Sequence, residues 1–250
     1  MPAQSAATEQ PLAGGTDLPV LEGKGIERAF GSLRVLRGLD LAIRQGEALV
    51  VFGPNGAGKS TLLRILAGLM RPTAGTVAVM GNPVRSHEPE TRRPIGLLSH
   101  QTLLYDDLTP LENLMFAARL YGLSDPKRRA LAALEALEVS GRALDPMRQL
   151  SRGTVQRVAI ARSLLHDPSI VLLDEPFTGL DVVGAELFRG VLAGELERGR
   201  AIVLVTHQLA EVWELATHIG VLLGGRWALH EARPPKLSDF LPRYGELLRG

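Results

Sequence analysis

The chain has 250 residues, enough for one large domain or two small ones with a substantial buried core. Its 28 Lys and Arg balance 27 Asp and Glu to a net charge of +1, which leaves no basic footprint for nucleic acid. The absence of cysteine excludes disulfides and thiolate metal sites, and no apolar run approaches the roughly 18–20 residues that span a bilayer.

Residues 1–20 carry neither the basic start nor the apolar centre of a secretory signal and read as a disordered tail, with folded chain from near Leu21. Between 23 and 51, short apolar-alternating runs punctuated by Gly31, Gly38 and Gly46 read as antiparallel strands. The run Glu47 to Phe52 stops at Gly53. Lys59 to Met70 has a helical stripe at 62, 63, 65, 66 and 69, with Pro72 as its stop. Short strands are expected around 75–80 and 95–99.

From about 103 to 163 the pattern becomes helical. Thr109-Pro110-Leu111-Glu112 is a capping box with proline at the first helical position, and its helix runs to about Tyr121 before Gly122. Ser124-Asp125-Pro126 opens a second helix, through about Glu138. Ser151 can cap a third, ending before Asp167-Pro168. Ser169 to Leu173 and Ala201 to Val205 are almost wholly apolar, as strands covered on both faces should be. Helices fit between and after them, and 237–249 reads as a terminal helix. Parallel strands joined by helices define an α/β core.

Gly53-Pro54-Asn55-Gly56-Ala57-Gly58-Lys59-Ser60-Thr61 fits the phosphate-loop pattern between a strand and a helix. Glycines let backbone N–H groups face phosphate oxygens, and the helix start adds its positive dipole end. Lys59 suits the β- and γ-phosphates, and the Ser60 hydroxyl suits Mg²⁺. Asp174 and Glu175 follow a buried strand, so that Asp174 can hold Mg²⁺ through water and Glu175 can orient or deprotonate the attacking water. An isolated Asp-Glu pair is more often a turn or cap; the phosphate loop in the same chain changes that balance. Ser151 and Gly153 open a predicted helix with a hydroxyl, a Cβ-free backbone and free N–H groups, which together suit an anion; Ser151 is also an N-cap.

In this order the motifs resemble those of the ATP-binding-cassette (ABC) transporter ATPases, over about residues 21–230. The resemblance implies a P-loop NTPase with a RecA-like core, an antiparallel β subdomain and an inserted α-helical subdomain. Phe30, 29 residues before Lys59, matches the aromatic that stacks on adenine; a core position is its alternative. Gln101 matches the glutamine that contacts Mg²⁺ or water and senses the membrane partner. Leu150 to Gly153 matches the signature motif, with Arg152 and Thr154 departing from the common Leu-Ser-Gly-Gly-Gln. Thr178-Gly179-Leu180-Asp181 matches a loop that crosses the dimer interface. His207 matches the histidine that contacts the γ-phosphate and orders the catalytic glutamate. His87, His100, His166, His218 and His230 match nothing catalytic and read as surface or packing residues.

The same resemblance implies ATP and Mg²⁺ as cofactors, and a homodimer, or a pair with a similar cassette, around two ATP. It implies a separate membrane permease docked near Gln101, and a cytoplasmic place on the inner face of the membrane. It implies no nucleic-acid partner, and nothing implies that this chain itself binds haem. Ser99 to Leu114, with Ala118 to Gly122, is similar to the ATPase of the cytochrome c maturation (haem exporter) system. The alternatives are the ATPase of another exporter, for drugs, lipids or polysaccharides, and a soluble non-transport ABC ATPase.

Overall fold

The computed structural model describes residues 18–85 and 88–249; residues 1–17 of the tail expected over 1–20, and His87, lie outside them. In chain order the elements are β1 (Leu21–Phe30), β2 (Leu33–Ile43), β3 (Ala48–Phe52), α1 (Lys59–Leu66), β4 (Ala74–Val79), β5 (Asn82–Pro83) and β6 (Ile95–Leu98). Then come α2 (Pro110–Leu120), α3 (Pro126–Ala136), α4 (Arg152–Leu164), β7 (Ile170–Asp174), α5 (Val182–Glu197), β8 (Ala201–Val205), α6 (Leu209–Val212), β9 (His218–Leu223), β10 (Arg226–Ala232) and α7 (Leu237–Leu247). An antiparallel sheet has the order β2-β1-β4-β5, and a six-stranded sheet the order β10-β9-β3-β8-β7-β6. In the second sheet all neighbours from β9 to β6 run parallel, and only β10 is antiparallel.

Side chains alternate across the parallel strands, so each strand feeds two cores. Leu49 and Val51 of β3 join Leu172, Val203 and the α1 residues Leu62, Leu63, Ile65 and Leu66, roofed by Leu21, Ile26 and Leu39 of the antiparallel sheet. Ala48, Val50 and Phe52 face the other way, with Leu173, Ile202 and Leu204, onto α4, α5 and α7. Every residue of β3, β7 and β8 is buried, which explains why these strands carry no polar alternation. Among the described residues no helix is long and apolar enough to cross a membrane.

Several expected boundaries move. Val20 already donates its N–H to Ile43 at 2.8 Å, so pairing begins before Leu21. Gly38 does not separate two strands; it is left unpaired between Arg37 and Leu39 as a bulge in β2, with φ of +77°. The helix after the phosphate loop ends at Leu66 rather than Met70. Gly68 takes a left-handed φ of +67°, and the Leu69 and Met70 amides turn back onto the Arg64 carbonyl, so Pro72 has nothing left to stop. The β9–β10 hairpin was not expected at all, although Gly224-Gly225, both at positive φ, is a hairpin turn signal.

The terminal helix α7 reaches back to the root of the phosphate loop. Fully buried Phe240 lies 5.9 Å from the ring of Phe52, the last residue of β3, and 5.2 Å from Trp213. We expect Phe240→Ala to cost about 3–5 kcal/mol, the range for emptying a buried aromatic site. Urea denaturation of the purified chain checks this, and a loss below about 1 kcal/mol would show that α7 is dispensable.

Candidate nucleotide site

Four neighbouring parallel strands deliver the candidate residues to one edge of the sheet, outside their C-terminal ends, where α/β sheets hold ligands. β3 leads into Gly53, β8 into Thr206 and His207, β7 ends at Asp174 and Glu175, and β6 leads into Ser99 to Gln101. β8 lies between β3 and β7, so Thr206 and His207 stand between the phosphate loop and the carboxylates.

The glycines are there for backbone reasons. Gly53, Gly56 and Gly58 have φ of +147°, +80° and +105°. A Cβ on Gly53 would collide with the Leu222 carbonyl oxygen, and one on Gly58 would lie 2.6 Å from Leu36 Cδ2. Pro54, Asn55 and Ala57 form the turn between them, closed by the Ala57 N–H on the Pro54 carbonyl at 3.2 Å. Lys59 opens α1 and bends back, its Nζ donating to the carbonyls of Gly53 at 2.7 Å and Pro54 at 2.9 Å. Burial pulls the Lys59 ammonium pKa down, and the Glu175 and Asp174 carboxylates push it back up. Ser60 and Thr61 follow in the first turn of α1.

Asp174 is 8% exposed, and burial raises its pKa; a hydrogen bond from the Ser60 side chain opposes the rise. Glu175 has a left-handed φ of +49°, a conformation that non-glycine residues adopt at a cost and that the surroundings enforce here. Its N–H is tied to the Val205 carbonyl at 2.8 Å. Its carboxylate accepts the Thr206 hydroxyl at 3.0 Å and sits 3.0 Å from His207 Nδ1. The His207 side chain is 66% exposed, so this pair faces outward from the strand ends.

The other candidates lie apart from this cluster. Ser151 caps α4, its hydroxyl accepting the Thr154 N–H at 3.2 Å and sharing a hydrogen bond with the Thr154 hydroxyl at 2.9 Å. A Cβ on Gly153 would stand 3.0 Å from the Gly179 carbonyl, so the α4 start packs on the Thr178-Gly179 turn. Asp181 caps α5 through the Gly184 N–H at 2.8 Å. Phe30 is not a core residue: it is 45% exposed at the end of β1. Gln101 is exposed, and its carbonyl accepts the Ser99 hydroxyl at 2.6 Å. A cavity of about 280 Å³ opens beside Asp174 and Glu175, lined also by His100, Arg152 and Gln156, with Gln101 outside its lining.

A model of the ABC transporter family matches residues 36–178. The chain belongs to the ABC transporter family. It is 35% identical over 222 residues to the Nod factor export ATP-binding protein I of Cupriavidus pinatubonensis, covering 88% of this chain and 68% of that protein. It is 37% identical over 193 residues to the cytochrome c biogenesis ATP-binding export protein CcmA of Dechloromonas aromatica, covering 77% of this chain and 95% of that protein. Among solved structures it is similar to the ATP-binding cassette MJ0796, a dimer in a post-hydrolysis state bound to ADP and Pi. That match has a TM-score of 0.78 and 30% identity, and covers 86% of this chain and 100% of the other. The chain is thus the ATP-binding subunit of an ABC transporter and an ATPase, with the P-loop NTPase fold.

Within this ABC cassette the donors fit Mg²⁺. A serine hydroxyl and a buried carboxylate, already hydrogen-bonded, are hard oxygen ligands. Magnesium at nucleotide sites takes only one or two protein carboxylates besides phosphate oxygens. Of two further residues at the cluster, Thr206 was not singled out from the sequence and His100 was read as a surface or packing residue; it is exposed. Thr206 is fully buried and orients Glu175. His100 lines the cavity beside the carboxylates and its charge works against the rise in the Asp174 pKa. Their signal was adjacency, Thr206 to His207 and His100 to Gln101, but their roles depend on contacts across strands.

Proposed function

We propose that two copies of this cassette close around two ATP, and that hydrolysis reopens them to drive a separate membrane permease. The observation that carries the hydrolytic part is the cluster of Glu175, Thr206 and His207 beside Lys59, Ser60 and Asp174. Gly53 to Thr61 would cradle the phosphates, with Lys59 on the β- and γ-oxygens. Ser60 and Asp174, with Gln101 from the neighbouring loop, would hold Mg²⁺, which neutralises phosphate charge. Glu175 takes a proton from the attacking water as that oxygen bonds to the γ-phosphorus; the bridging oxygen leaves with ADP, and phosphate is released. His207 and Thr206 hold the carboxylate in line.

Support for the two-copy site comes from what is left outward. Ser151 and Arg152 are exposed at the start of α4, and Val182 and Val183, beside Asp181, are 80% and 70% exposed. Ser151, Gly153 and Asp181 would then serve the partner's ATP. Hydrolysis rate per mole of protein should rise with protein concentration and level off. A rate flat over two decades of concentration, with only monomer in sedimentation under ATP, rejects the paired site.

For the permease, the exposed Leu103, Tyr105, Phe116 and Leu120 offer an apolar face next to Gln101, with Tyr105 packed edge-on against Phe116 at 5.5 Å. The Ser99 to Gly122 segment and the near-complete span of the Dechloromonas relative support service in cytochrome c biogenesis through haem export. The longer overlap with the Nod factor export proteins supports a second reading, another export cargo. Loss of c-type cytochromes on deleting the gene, restored by the wild-type chain but not by Glu175→Gln, selects the first; unchanged cytochromes select the second.

A further inference from the structure

Phe30 ends β1, and one face of its ring is already taken. The guanidinium carbon of Arg28, two residues back on the same side of the strand, lies 4.4 Å from the ring centroid. Arg28 is itself anchored: Nη1 donates to the Arg71 carbonyl at 2.9 Å. Across the ladder Arg28 pairs with Leu36, the residue whose Cδ2 closes on Gly58 of the phosphate loop.

We propose that Arg28 is a positioning residue for the nucleobase: it backs one face of Phe30 and leaves the opposite face as a preformed platform for the purine ring of ATP. This rests on the reading of Phe30 as the base-stacking residue. Two physical effects favour it. A ring pinned by a fixed cation loses little further freedom when a base lies on it. A cation behind the ring also draws on its negative face, which eases parallel stacking of an electron-rich base on the other side. Phenylalanine lacks a hydroxyl to anchor its tip, so the backing cation supplies the order that the side chain cannot.

The test compares binding of ATP with binding of inorganic tripolyphosphate, which has no base, by calorimetry on the full chain. Arg28→Met keeps the unbranched stem as far as the Nε position and removes the guanidinium with its charge. It should weaken ATP by about three- to tenfold, as expected when one more side chain must be ordered on binding, and leave tripolyphosphate within about twofold. Arg28→Lys should recover part of the loss. In a Phe30→Leu background, Arg28→Met should have no further effect. Equal weakening of both ligands would show that Arg28 only supports the Arg71 segment, and overturns the proposal. Unchanged ATP affinity in Arg28→Met, with Phe30→Leu weakened, overturns the role of Arg28 alone; full affinity in Phe30→Leu overturns the base-stacking reading beneath it. Should Arg28→Met fail to fold, Arg28→Gln, which also removes the charge, gives the same comparison.

Discussion

Replacing Glu175 by Gln is expected to lower steady-state ATP hydrolysis by about 10²–10⁴-fold, the range for removing a general base, while ATP affinity stays within a few-fold of wild type. The geometry separates the two effects. Glutamine keeps the size of the side chain and an oxygen to accept the Thr206 hydroxyl, which now sits at 3.0 Å. The backbone position is held by the Val205 carbonyl, not by the carboxylate. What glutamine cannot do is take a proton from water. Nor can it pair as an anion with His207, whose Nδ1 lies 3.0 Å from the Glu175 carboxylate. Phosphate binding belongs to other elements, Gly53 to Thr61 and Asp174, which the substitution leaves alone. If hydrolysis is the step that reopens a pair of cassettes, the variant with ATP should also accumulate as a dimer on gel filtration. Hydrolysis within a few-fold of wild type removes Glu175 from the role of base. Slow hydrolysis with a persistent monomer keeps the base and rejects hydrolysis as the step that separates the pair.

What could be read before the fold was known follows from how local each constraint is. The phosphate loop was legible because its glycines answer to backbone geometry, φ of +147° at Gly53 and +105° at Gly58, and no other residue takes those values cheaply. β8 was legible to the residue, Ala201–Val205, because a strand covered on both faces has no polar position to blur its ends. The capping box at Thr109 was legible for the same kind of reason: both of its hydrogen bonds close within four residues. The stop of α1 was misplaced because Pro72 is the louder local signal, while Gly68 acts earlier by turning left-handed. Thr206 was passed over, and His100 read only as a surface or packing residue, because neither has a local pattern. Thr206 matters through Glu175, 31 residues away and delivered by the neighbouring strand, and His100 through the cavity that β6, β7 and α4 enclose. Arg152 stays legible only as a departure: it lines that cavity, and nothing in the structure explains why arginine replaces glycine there.

Replacing Lys59 by Ala is expected to weaken ATP binding by about two orders of magnitude, the usual loss when one partner of a desolvated charge pair is truncated. Lys59 is 7% exposed and lies in the field of two carboxylates, so the site without it presents Asp174 and Glu175 to a polyanion with no lysine to balance them. Its ammonium bridges the Gly53 and Pro54 carbonyls, and these bonds hold the lysine over its own loop. At about 1.5–3 kcal/mol for each hydrogen bond from a charged donor, loss of the two should cost the protein without ATP about 3–6 kcal/mol, less what is regained by no longer burying the charge. The two effects separate in one thermal-melting experiment. At ATP about 100 times the wild-type dissociation constant, binding to the folded state stabilises wild type by about 2.7 kcal/mol, and the variant should gain only a few tenths. Equal ATP-induced shifts in the two proteins would mean that the phosphates do not reach Lys59, and the loop from Gly53 to Thr61 would lose its assignment. A lower melting point without ATP but a normal shift with it would make Lys59 a structural clasp. Arginine at the same place should not rescue binding: its planar guanidinium cannot fold back onto two carbonyls five and six residues earlier and still offer a compact charge to the phosphates.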